Sequence, residues 1–160
     1  MSEGAGARYG RRVTDLADLL QRTVAELERR GVPDEALATL RIPRFGRSRL
    51  VATGRAWRLG VLLLTRDARL FSTTTVTRSV EPLRGVTNRS AEADARRQLR
   101  HLAVRSGFAQ GEAVNVDPVP VELDGPLSVV DGVVMIRWNV GDGIRPLKGY
   151  LAERLALLDD

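Results

Sequence analysis

The chain has 160 residues, 43% of them apolar but only 4% aromatic. That length favours one domain, able to bury about 68–70% of its unfolded surface around a core of Leu, Val and Ala. Cysteine is absent, which excludes disulfides, thiolate metal sites and a cysteine nucleophile, and the single histidine, His101, excludes a histidine-based metal cluster.

In chain order, residues 1–12 are small, Gly-rich and basic, and they predict a flexible tail ahead of a single domain over 13–160. Thr14 is placed to cap a helix running to about Arg30, with Asp15 and Asp18 in its first turn and Gly31 as its stop. Val13, Leu16, Leu20, Thr23, Val24 and Leu27 form its inward stripe. Pro33-Asp34-Glu35 suits the first turn of a second, short helix whose Leu37 and Leu40 face the same core. In the connector RIPRFGRSR, residues 41–49, Pro43 and Gly46 deny a regular element.

After a short strand at Leu50 to Thr53, residues 55–80 read as one β-hairpin around which the chain is organised. Trp57, Leu59, Val61 and Leu63 recur with a period of two, and Arg66-Asp67-Ala68 makes the turn. Ser90 is a good N-cap for a helix through Ser106, with Glu92 and Asp94 early and Gly107 as its stop. Strands follow at Ala113 to Val116 and Val119 to Leu123. Leu127 to Val130 and Val133 to Asn139 then flank Asp131-Gly132, a dipeptide suited to the positive φ angles of a tight hairpin turn. NVGDGIR, residues 139–145, is a Gly-rich loop, and Pro146 starts the last helix, with Leu147, Tyr150, Leu151, Leu155 and Leu158 on one stripe. The expected fold is therefore α+β: an antiparallel sheet built from two hairpins, at about 55–80 and 119–139, covered by N-terminal, middle and C-terminal helices.

The net charge of +5 is uneven. Residues 1–80 carry 15 basic and 8 acidic side chains, and residues 81–160 carry 10 and 12. The asymmetry peaks where Arg41, Arg44, Arg47, Arg49, Arg55, Arg58 and Arg66 meet no acid. Such a run attracts a polyanion, and Trp57, two residues from Arg55, would add a stacking surface on the same face of a strand. Two bland readings compete: with Lys148 the only lysine, the arginines reflect a compositional habit as readily as a site, and Trp57 is a natural core residue.

No catalytic set emerges. His101 falls on the polar face of its helix, and Asp94, seven residues back, is roughly 10 Å away along the axis. The loop residues Gly141, Asp142, Gly143 and Arg145 could offer an anion or ligand site near the last helix, although Gly and Asp are ordinary loop residues. Asn88-Arg89-Ser90 matches a glycosylation pattern without a secretory signal beside it. The longest apolar run, Gly60 to Leu64, is far shorter than the roughly 20 residues of a membrane span. A cytoplasmic location follows by default.

No run of residues resembles a family signature. The first expectation is a non-enzymatic binding or structural module, with no cofactor or metal, that docks a protein partner or self-associates. The alternatives are a nucleic-acid or polyanion binder using the arginines of 41–66, and an enzyme using arginine with a carboxylate such as Asp142 or Asp131.

Overall fold

The computed structural model describes residues 3–81, 85, 90–123, 125–138, 141 and 143–159. In chain order the elements are α1 (Glu3–Arg29), β1 (Glu35–Arg41), β2 (Arg49–Leu59), β3 (Leu62–Thr65), β4 (Leu70–Ser72), β5 (Thr75–Arg78), α2 (Ala91–Arg105), β6 (Ala113–Val116), β7 (Val119–Pro120), β8 (Leu127–Val130), β9 (Val133–Arg137), β10 (Ile144–Pro146) and α3 (Leu147–Ala156). They fall into two compact units, one of Met1–Pro33, Trp57–Ser72 and Pro120–Asp160, the other of Asp34–Ala56 and Thr73–Val119. β2 contributes its first eight residues to the second unit and its last three to the first.

The second unit orders its strands β5-β6-β1-β2. β1 pairs antiparallel with β2, with an irregularity at Leu37/Ala38, and β5 pairs antiparallel with β6. β1 and β6, however, run parallel, with Ala36, Leu37 and Ala38 opposite Val114, Asn115 and Val116. The α+β class holds, but the purely antiparallel, two-hairpin sheet does not. The short helix expected after Pro33 is strand β1. Its alternation of Ala36, Ala38 and Leu40 buries one face with Leu50, Val114 and Val116 against Leu99, Leu102 and Ala103 of α2. That long-range burial outweighs a helix start carried by three residues.

α2 begins as its sequence predicts. Ser90 accepts a hydrogen bond from the Ala93 amide at 3.2 Å, and the helix ends at Ser106 before Gly107, whose φ is +89°. Among the crossing residues before it, 82–84 and 86–89, including Asn88 and Arg89, lie outside the described residues.

The first unit packs Leu20, Val24 and Leu27 of α1, Trp57 and Leu59 of β2, Leu62 and Leu64 of β3, Leu127, Ile136, and Leu147, Tyr150 and Leu151 of α3 into one core. All four residues of β3 are buried, so this strand is covered on both faces. α1 is helical from Glu3, well before Thr14, across much of the segment expected as a tail. The Thr14 hydroxyl does not cap: it donates back to the Gly10 carbonyl at 3.0 Å, the habit of a threonine inside a helix.

The hairpin expected at 55–80 is broken in two. The chain first turns at Gly60, between β2 and β3, and again at Ala68, between β3 and β4; β5 then leaves to pair with β6. The physical cause of the first turn is a close approach. A Cβ at Gly60 would lie 2.2 Å from the Tyr150 hydroxyl, and its φ of +66° is in the left-handed region. The Tyr150 hydroxyl donates to the Leu59 carbonyl and accepts from the Val61 amide, both at 3.0 Å, and so takes the place of a ladder partner across that turn.

The second expected hairpin is present, but shorter. β8 and β9 pair Val130 with Val133 around Asp131 and Gly132, whose φ values of 48° and 84° are those of the expected turn. The strand predicted from Val119 to Leu123 shrinks to β7, and Ile144 and Arg145 of the expected Gly-rich loop, with Pro146, the expected helix start, form strand β10, paired with β9. Among the described residues no helix is long and apolar enough to cross a membrane.

Candidate functional site

The connector 41–49 is the tip of the β1–β2 hairpin. Arg41 is the Cα partner of Arg49, and Leu40 that of Leu50, so the two arginines face each other across the last rung before the loop. Cross-strand partners point to the same face, and like charges placed so repel. Leu40 and Leu50 belong to the other face, packed toward α2. Arg41 and Arg49 therefore stand on the face away from that helix.

Both legs of the hairpin are held below the loop. The Leu40 amide donates to the Asp117 carboxylate at 3.1 Å, extending the β1–β6 pairing past Val116. The Leu50 amide donates to the Ser106 hydroxyl at 2.9 Å, and the Arg105 guanidinium donates to the Ser48 carbonyl at 3.0 Å. A fixed base thus presents a loop whose chain reverses at Gly46, where φ is +101°.

That loop carries Phe45, 86% exposed, and Ile42, 75% exposed, the two most exposed large hydrophobic residues among the described residues. Arg41, Ile42, Pro43, Phe45, Arg47, Arg49 and Val51 line one open depression of about 660 Å³. Arg44 completes the set on the same exposed loop. None of Arg41, Arg44, Arg47 and Arg49 has an ion-pair partner among the described residues. A surface this basic, with an unburied aromatic ring in it, matches anions that also have a flat apolar face.

The other arginines of the predicted run are differently employed. Arg55 is held by Asp34 at 2.6 Å and Glu112 at 2.6 Å, and these hydrogen-bonded carboxylates, Asp34 first, raise its pKa above the ordinary value. Its charge is thereby offset within the second unit. Arg58 and Arg66 belong to the first unit, where Arg66 lies 4.9 Å from the Trp57 ring centre and 3.6 Å from Glu28. Trp57 itself is 1% exposed and its indole N–H donates to the Val32 carbonyl at 2.9 Å. It therefore has no free ring face for a base. The expected Arg55–Trp57 surface is replaced by Phe45 among four arginines. The sequence signal for Phe45 was present: it is an aromatic residue in an acid-free arginine run, between Pro43 and Gly46, which keep it out of any regular element.

Of the loop expected as an anion or ligand site, Gly141, Gly143 and Arg145 are among the described residues. Asp142 lies outside the described residues, and Gly141 is exposed. The Gly143 carbonyl accepts from the Trp138 amide at 3.3 Å. Arg145 is occupied by Glu153 and by the rings of Trp138 and Tyr150, 5.4 and 5.3 Å from its guanidinium. Asp131 is exposed at a turn tip, and His101 is exposed on α2. Among the described residues no three His, Asp or Glu are grouped to hold a metal ion. A second depression in this unit, about 380 Å³, has Arg55 and Glu112 as its charged lining, and these already neutralise each other.

Comparison of the chain with protein-family models, with curated proteins and with solved structures finds no match.

Proposed function

We propose that this protein is a non-enzymatic nucleic-acid-binding module that engages phosphates through the β1–β2 hairpin loop. The observation that carries this reading is the facing pair Arg41 and Arg49, continued by Arg44 and Arg47, with no acid paired to any of the four among the described residues. Mutual repulsion at the rung beneath the loop is a cost to the free protein, and a ligand bearing several negative charges removes it. Phosphate contacts of this kind supply affinity without reading sequence.

The test is fluorescence anisotropy with labelled single- and double-stranded oligonucleotides across a salt series, with Arg44, Arg47 and Arg49 together replaced by Ala as the comparison. Affinity should fall linearly in log salt, with a slope smaller by about two to three units in the triple variant, from three lost phosphate contacts at about 0.7–0.9 each. An absence of binding at low salt would overturn the reading. The exposed Ile42 and Phe45 would then point to a protein partner with an acidic, apolar groove, the occupant that best fits the same residues without a nucleic acid.

A further inference from the structure

We infer that the loop takes single-stranded nucleic acid, with one unpaired base seated on Phe45; this rests on the proposed function and specifies its ligand class. Three features of the loop point this way. The Phe45 ring is almost fully exposed, although an aromatic side chain is among the most favourable groups to bury. It borders an open depression together with Ile42, Pro43 and Val51, which leaves room beside the ring for a splayed-out base. The arginines surround that seat: Arg41, Arg47 and Arg49 share its lining, and Arg44 adjoins Phe45 in the chain. A base on the ring would therefore have its flanking phosphates beside guanidinium groups.

A duplex keeps its bases stacked on one another and offers the ring no face. A single strand offers one at every nucleotide, and stacking on an aromatic ring does not depend on base identity. The expected ligand is thus a flexible single strand bound with little sequence preference. The hairpin legs are fixed by Asp117, Ser106 and Arg105, so the seat is held in place before the strand arrives.

The experiment compares three labelled ligands of equal length on the full chain at one low salt concentration: a thymidine strand, an abasic strand with the same phosphates, and a duplex. The thymidine strand should bind more tightly than the abasic strand, by between about fivefold and a hundredfold, the range of one base stacked on one ring. Phe45→Ala should abolish that difference and leave the salt slope unchanged, and Phe45→Trp should preserve it. Among the described residues Phe45 belongs to neither core cluster, so these variants should keep the wild-type circular dichroism. Equal affinity for thymidine and abasic strands, or a preference for the duplex, would overturn the single-strand inference and leave phosphate binding by the loop intact. No binding to any of the three would overturn both.

Discussion

Replacing Tyr150 by Phe should destabilise the first unit by about 2 kcal/mol, because one hydroxyl closes the turn between β2 and β3 from both sides. The side chain is 1% exposed, and it donates to the buried Leu59 carbonyl and accepts from the Val61 amide, each at 3.0 Å. Each bond contributes about 1 kcal/mol net, and the carbonyl left without a partner in the core keeps the loss toward the upper part of a range of about 1–3 kcal/mol. Urea unfolding should show a lower midpoint with an unchanged slope, and thermal unfolding a Tm lower by roughly 4–8 °C for a chain of this size.

Gly60 supplies the internal control. A Cβ there meets the same hydroxyl at 2.2 Å and the Arg154 Nε at 2.8 Å, and its φ of +66° adds the left-handed penalty of about 1–2 kcal/mol. Gly60→Ala alone should therefore cost more than that penalty. In the Tyr150→Phe background the collision with the hydroxyl is gone, so the double variant should be more stable than the sum of the single losses by about 1 kcal/mol or more. Additivity within about 0.5 kcal/mol, or a Tyr150→Phe loss below about 0.5 kcal/mol, would refute the idea that this hydroxyl braces the turn.

Arg49→Ala removes the like-charge rung opposite Arg41 and should raise stability slightly, by about 0.2–0.5 kcal/mol at low salt and less at high salt, read as a higher urea midpoint, while weakening oligonucleotide binding. A loss of stability at low salt would count against the repulsion argument. Glu26 hydrogen-bonds Arg29 and, next, Arg30, which hold its carboxyl at about 2 against an ordinary 4.5. The folded value is the lower one, so the stabilisation is complete above about pH 4.5 and is lost as pH falls toward 2. Glu26→Gln should thus be the less stable protein at pH 6, and the gap should close toward pH 2; a gap constant with pH would refute the assignment. The Glu26 carboxyl resonance, followed by NMR, should titrate near 2 in the folded protein.

Where local chemistry and long-range packing agreed, the sequence was readable. Ser90 and Gly107 bound α2 because a cap and a stop act within one turn of helix, and Asp131-Gly132 makes its hairpin because a two-residue turn specifies its own backbone angles. The stripe of Leu20, Val24 and Leu27 faces the core of its unit for the same reason: a 3.6-residue period is a property of the chain. Within the candidate site, the four arginines and Phe45 could be read as a basic, irregular stretch with an aromatic residue in it.

What the tertiary structure alone decided are the partnerships between distant residues. Segment 35–41 is a strand because β6, some eighty residues later, lies parallel beside it, and no local window contains that pairing. Arg55 leaves the basic surface because Asp34 and Glu112 converge on it, and Trp57 leaves because Val32 accepts its indole N–H inside the core. The same pairing of β1 with β2 sets Arg41 against Arg49 and lifts Phe45 into the open, so the sequence by itself determined which charges and ring were available. Only long-range packing determined which of them were consumed by the fold and which stayed exposed, because burial and ion pairing depend on contacts that sequence neighbours do not make.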